Sequence, residues 1–271
     1  MTIAARHLDN RNGINTAGVR QKPMLRYVLS AGRTGTVFLE KLFGRVASGV
    51  TAVHEPSSAR YQMMLANFRN DWRIGHAVLE SWFQRSRLAR EAAVSGTYVE
   101  LNPFLCPMTD LLPERGRRLH VVHMVREPAG WARSITTFKA SRKFRGVVDY
   151  VPFAKPYPSP RPARWQDLDD YERALWRWNW CNERILAIRE QCDDYALVRY
   201  EDLFSSSPAT RQDAISTIFQ TLALGPTPVV EQTSMNERVN PAPDKGEIID
   251  PDGAVAREIC GLLARRFGYD D

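Results

Sequence analysis

The feature that most constrains this chain is a turn near its start. Leu25-Arg26-Tyr27-Val28-Leu29 reads as a short strand and breaks into Ser30-Ala31-Gly32-Arg33-Thr34-Gly35-Thr36. Apolar residues then recur at helical spacing through Val37-Phe38-Leu39-Glu40-Lys41-Leu42-Phe43. Strand, glycine-containing loop and helix together form the architecture of an anion cradle. Gly32 and Gly35 let the backbone turn, the helix N-terminus contributes partial positive charge, and Arg33, Thr34 and Thr36 add a cation and two hydroxyls. The loop is not of the G-x-x-x-x-G-K-[ST] kind, because Gly35 is followed by Thr36 and not by lysine. Taken alone it is equally readable as an ordinary strand–helix turn.

The rest of the chain continues in the same alternation. Strands are expected at 50–53, 97–101, 119–125 and 195–200, and helices near 60–70, 74–93, 129–138, 169–191, 208–222 and 254–267. The run Leu119-His120-Val121-Val122-His123-Met124-Val125 is β-branched and apolar throughout, as a strand buried on both faces requires. His120 and His123 therefore read as core histidines. This pattern predicts an α/β fold of three layers, with a mostly parallel central sheet and helices on both faces. Ligands in such folds bind outside the carboxyl ends of the strands, where the turns after Leu29, Val53 and Val125 all fall. Residues 1–22 read as a flexible leader and 23–271 as one domain. Within it, 141–167 is a proline-rich, basic surface loop on the acceptor side. Trp176 and Trp180 share a helix face and are assigned to core packing, with Trp178 pointing elsewhere.

With 37 Lys and Arg against 31 Asp and Glu, the net charge of +6 suggests an anionic partner. The basic residues are scattered and lack interleaved aromatics, which disfavours nucleic acid; Arg85, Arg87 and Arg90 read equally well as a solvated helix face. The four cysteines, Cys106, Cys181, Cys192 and Cys260, form no metal-ligand or disulfide pattern and read as ordinary thiols. No apolar run reaches the ~20 residues of a membrane span, and no signal-peptide core opens the chain. Those two observations suggest a cytoplasmic location.

A second element narrows the reading. Arg126 follows the buried-type strand directly, and Ser134 lies eight residues later on the next helix, so both can face one anion. The stretch Val-Val-His-Met-Val-Arg-Glu-Pro-Ala-Gly-Trp-Ala-Arg-Ser, 121–134, resembles the 3′-phosphate motif of sulfotransferases that use 3′-phosphoadenosine-5′-phosphosulfate (PAPS). Residues 29–38 resemble their 5′-phosphosulfate loop in its arginine-bearing form, and Val198-Arg199-Tyr200-Glu201-Asp202-Leu203 resembles their Tyr-Glu-Asp segment. Val37 and Glu127 depart from the family pattern, which more often has Thr or Ser and Asp there.

The resemblance implies a P-loop-type sulfotransferase domain that passes a sulfuryl group from PAPS to a hydroxyl or amine acceptor and releases 3′-phosphoadenosine-5′-phosphate (PAP). Arg33 would hold the 5′-phosphate and neutralise the leaving oxygen. Thr34, Gly35, Thr36 and Val37 would line the cradle, Arg126 and Ser134 would bind the 3′-phosphate, and Tyr200 would meet the adenine. Arg238 and Lys245, from a late polar loop, would add charge near the 3′-phosphate. Glu55, in the turn His54-Glu55-Pro56, is the first candidate base and His54 the second; a capping or salt-bridging role at that turn is the alternative. No metal is needed, since arginine and helix dipoles stabilise the charge. Small molecules, glycans and lipids are all compatible acceptors. A nucleotide-dependent phosphotransferase and a binding-only nucleotide module stand as the other readings.

Overall fold

The computed structural model describes residues 24–72, 75–137, 155–229, 250 and 253–269. Residues 1–22, Arg238, Lys245 and the segment 141–154 lie outside the described residues. Strand β1 (Met24–Ser30) leads into helix α1 (Thr36–Val46), then β2 (Val50–His54), α2 (Ala59–Trp72) and α3 (His76–Ala92). Next come β3 (Thr97–Leu101), a 3-10 segment (Pro103–Leu111), β4 (Arg118–Val125) and α4 (Pro128–Thr136). Helix α5 (Asp170–Leu186), β5 (Asp194–Arg199), the one-turn α6 (Tyr200–Leu203), α7 (Pro208–Thr221) and α8 (Ala254–Arg266) complete the series.

The five strands form one sheet in the order β2-β3-β1-β4-β5, every neighbouring pair parallel. The two-residue side-chain period of a strand explains how the sheet is covered on both faces. On one face Val28 of β1 and Val122 and Met124 of β4 pack with Leu39, Leu42 and Phe43 of α1 and with Ile215, Ile218 and Phe219 of α7. On the other, Leu25, Tyr27, Leu29, Leu119 and Val121 pack with Met63, Phe83, the 3-10 segment and Ile185 of α5. A third cluster joins Val125 to α4, α5 and α8 through Trp131, Leu175, Trp178 and Leu263. The predicted fold class holds.

Helix starts follow local chemistry. Asp169 closes a reciprocal capping box with Glu172 at the head of α5. Glu127 and Ser207 cap α4 and α7, each with proline in the first helical position, where its missing N–H costs nothing.

Four expectations need correction. The long helix predicted over 169–191 ends at Leu186, and only a 3-10 turn, Arg189–Gln191, follows. Tyr200 starts α6 and is not the last residue of the strand. The described part of the expected surface loop is exposed in places but fastened down: Tyr157 and Trp165 are buried. The Tyr157 O–H donates to Asp71, and Asn67 holds the Lys155 carbonyl. Their apolar area offsets the cost of ordering an otherwise polar segment. Lastly, Arg87 is 1 % exposed. It pairs with Glu91 and Glu114, because a buried arginine must carry its counter-charges with it.

Both strand histidines are buried. The Asn182 amide nitrogen donates to the Trp178 carbonyl, which turns its oxygen toward His123. His123 Nε2–H donates to that oxygen, and Nδ1 accepts from the Tyr195 hydroxyl. Burial, opposed in part by the Asn182 bond, lowers the His123 pKa from 6.5 to about 4. A depressed histidine pKa favours the folded state above pH 6.5, and that contribution is lost as pH falls toward 4. Denaturant titrations from pH 7 to pH 4 should show about 3 kcal/mol of acid sensitivity in wild type that is missing in His123→Gln. Parallel pH profiles for the two proteins would contradict this assignment.

Candidate active site

The parallel pairing of β1 with β4 runs from Met24↔Arg118 to Ser30↔Met124, so the two strands end side by side. The loop after β1 and the turn after β4 therefore face each other. Arg126 Nη1 donates to the Arg33 carbonyl at 3.3 Å, and Trp131 Nε1 donates to the Gly32 carbonyl at 2.6 Å. In a trans peptide the N–H points opposite to the C=O. Turning these two carbonyls toward Arg126 and Trp131 thus aims the amides of Arg33 and Thr34 away from those side chains.

Helix α1 begins at the end of that loop. Its first intrahelical bond runs from Leu39 N to the Gly35 carbonyl at 3.1 Å, so the amides before it have no acceptor within the helix. No side chain caps it, and no acidic residue stands in its first turn. Its N-terminus is left as a focus of positive potential. Gly35 is required there on two counts: its φ is +83°, and a Cβ would meet Phe204 at 2.6 Å. Thr34 is fully buried, and among the described residues its hydroxyl has no hydrogen-bond partner. Leaving such a group unpaired costs ~1–3 kcal/mol, which favours an acceptor atom entering the loop.

Two guanidiniums converge on this loop. Burial, and next the proximity of Arg126, lower the Arg33 pKa. Arg33 Nε donates to Ser134 Oγ at 3.2 Å. Among the described residues Arg126 makes no ion pair; its guanidinium lies over the Tyr200 ring, 4.5 Å from the centroid. Like charges held together at a dipole's positive end are stabilised by an anion. The donor set of arginine, hydroxyl and backbone amide suits phosphate or sulfate oxygens.

The turn after β2 completes the site. His54 Nε2 lies 2.9 Å from Thr36 Oγ1 and 3.9 Å from Glu55 Oε1. The His54 backbone N–H donates to Glu40 of α1, and that of Glu55 donates to the Leu101 carbonyl. Arg33 and Glu55 both have positive φ, 54° and 47°, a conformation non-glycine residues adopt at a cost. Each is held in it by the contacts just described.

The structure thus joins Arg33, Thr34, Gly35, Thr36, Arg126, Ser134 and Tyr200, with His54 and Glu55 at the rim beside α1. Val37 stands in the first turn of α1 and has no hydroxyl to offer. Ser134, expected at the other end of a ligand from Arg33, is hydrogen-bonded to it. Sequence reasoning missed the two indoles that hold this arrangement. Trp131 fastens the loop, and Trp178 Nε1 donates to the Arg126 carbonyl at 2.9 Å. The expectation for α5 changes in part: Trp178 is fully buried, whereas Trp176 and Trp180 are half-buried, with Trp180 packed against the core. The local signal for Trp131 was its place inside the Arg126–Ser134 motif; Trp178 had none.

No protein-family model and no curated protein matches the chain. Solved structures do. The sulfotransferase domain from the curacin biosynthetic pathway is 15 % identical, with a TM-score of 0.51 over 89 % of this chain and 98 % of that one. The sulfotransferase domain from the Synechococcus PCC 7002 olefin synthase is 17 % identical, with a TM-score of 0.50 over 93 % and 98 %. The chain has the sulfotransferase fold. Among the described residues no helix is long and apolar enough to cross a membrane.

The close approach of Phe204 makes Gly35 the most sensitive position of this sulfotransferase-fold loop. Gly35→Ala should cost about 1–2 kcal/mol from the left-handed backbone alone, and more from the displaced ring. Urea denaturation reads this, and an unchanged midpoint would contradict the geometry.

Proposed function

We propose that the protein is a PAPS-dependent sulfotransferase acting on a hydroxyl or amine acceptor. The observation that carries this reading is the convergence of Arg33 and Arg126 on the uncapped N-terminus of α1, beside the strained Glu55 turn. The sulfotransferase fold supports it, as does the unpartnered Thr34 hydroxyl inside the loop.

PAPS supplies an activated sulfuryl group, transferred in line from its bridging phosphate oxygen to the acceptor. Arg33, the amides of Thr34, Gly35 and Thr36, and the start of α1 hold the 5′-phosphate. Arg126 and Ser134 hold the 3′-phosphate, the group that separates PAPS from ATP. Arg33 neutralises the charge that develops on the leaving oxygen, where a well-placed donor contributes most. Glu55 takes the proton from the acceptor as its oxygen or nitrogen bonds to sulfur. His54 is held by Thr36 and Glu40, orients the Glu55 turn and is the second candidate for that proton. Arg238 and Lys245 are proposed to add charge near the 3′-phosphate. A small molecule, a glycan or a lipid can present the acceptor group at the β2–α2 side. The chain itself supplies the charge stabilisation, without a metal.

Titration with PAP beside ADP and ATP tests the donor. At a hundredfold excess over Kd the ligand should add about 2.7 kcal/mol of stability, and PAP should be strongly preferred. Arg126→Ala should weaken PAP at least about tenfold and leave ADP nearly unchanged. Arg33→Ala should lower kcat by about a hundredfold or more, and Glu55→Gln should lower kcat with little change in PAP affinity. Preference for ATP with Mg²⁺, or wild-type turnover by Arg33→Ala, would overturn the reading.

A further inference from the structure

The Tyr-Glu-Asp segment, expected to meet the adenine through Tyr200, has a different set of contacts. Glu201 Oε1 accepts from the Glu127 backbone N–H at 3.1 Å. Glu201 Oε2 accepts from the Tyr269 hydroxyl at 2.7 Å, just beyond α8. The Glu127 N–H belongs to the same peptide plane as the Arg126 carbonyl, and that carbonyl accepts from Trp178 Nε1. Both polar atoms of the Arg126–Glu127 peptide are therefore held, one by Glu201 and the other by Trp178. A planar unit fixed at both ends cannot rotate, so the Cα of Arg126 has a set direction. Its guanidinium then lies on the Tyr200 ring, at a distance where cation–π attraction operates.

The same few residues also reach the loop after β1. Tyr200 stacks on Phe204 with centroids 4.6 Å apart, and Phe204 meets Phe38 of α1 edge-on at 5.3 Å. Phe204 is also the side chain that leaves no room for a Cβ at Gly35. Residues 200–204 touch both anion-binding turns at once. Asp202 takes no part in this, since it is occupied by Arg199.

We propose that Glu201 is a positioning residue for Arg126. With Trp178 it pins the peptide plane that aims the guanidinium, and Tyr269 orients the Glu201 carboxylate from behind. The proposal rests on the PAPS reading of the site, because Arg126 is there the 3′-phosphate ligand. Tyr200 then serves chiefly as the platform under Arg126.

PAP and adenosine 5′-monophosphate differ only in the 3′-phosphate, so their affinity ratio isolates what Arg126 contributes. Calorimetric titration of both ligands into wild type, Glu201→Ala, Glu201→Gln and Tyr269→Phe provides the test. Glu201→Ala should cut the ratio by about fivefold, the net worth of one ordinary hydrogen bond. Glu201→Gln keeps an oxygen for the Glu127 N–H and should restore most of the ratio. Tyr269→Phe removes only the rear support, so it should move the ratio in the same direction by less, and it serves if Glu201→Ala does not fold. A loss of both affinities in equal proportion, or a ratio unchanged in Glu201→Ala and Tyr269→Phe, would overturn the proposal. Failure of the donor reading is separately visible, as a wild-type protein that does not prefer PAP over the monophosphate.

Discussion

The parallel ladder between β1 and β4 is the constraint on which the rest depends. Seven registered pairs, Met24↔Arg118 to Ser30↔Met124, bring both strands to an end at the same level. Because the strands are parallel, each leaves the sheet at the same edge and enters a helix there. The loop carrying Arg33 and the turn carrying Arg126 are thereby forced together, although about ninety residues separate them in the chain. A slip of one residue would turn Val122 and Met124 away from α1 and α7 and toward the opposite layer. The burial that stabilises the sheet therefore also sets the distance between the two guanidiniums.

Bringing two cations together is unfavourable unless something holds them there. Neutral hydrogen bonds and aromatic faces help to meet this cost. Trp131 fastens the Gly32 carbonyl, Trp178 fastens the Arg126 carbonyl, and Tyr200 lies under Arg126. Carboxylates nearby are used on the backbone instead. Glu127 caps α4, Glu40 accepts from the His54 amide, and Glu201 accepts from the Glu127 amide. An ion pair to Arg126 would compete with an incoming anion, and among the described residues it makes none; a carboxylate spent on an amide does not compete.

Much of this was legible from the sequence. The apolar runs at 25–29, 97–101 and 119–125 announced strands within a residue or two of where they lie, because a strand buried on both faces leaves little choice of residue. The glycines and threonine hydroxyls of 30–36 announced the turn between β1 and α1, and Arg126 and Ser134 came within reach by the geometry of a strand end and a two-turn helix. What could not be read were the supports. Trp178 stood in a row of three tryptophans, and helical spacing alone favoured its two neighbours for the core. Tyr157 and Trp165 sat in a proline-rich, basic stretch whose composition pointed to solvent. Arg87 had the look of a surface arginine until Glu91 and Glu114 were found around it.

The sequence by itself determined the order and kind of the elements, the glycine-containing turn after β1 and the residues gathered at it. These depend on period, capping and turn chemistry, all of which act over a few neighbouring residues. Only the tertiary structure decided what holds those residues in place. The supporting hydrogen bonds join Gly32 to Trp131, Arg126 to Trp178 and Glu127 to Glu201, partners 99, 52 and 74 residues apart. Which donor meets which carbonyl at such separations follows from how helices pack on the sheet, and no local pattern encodes it.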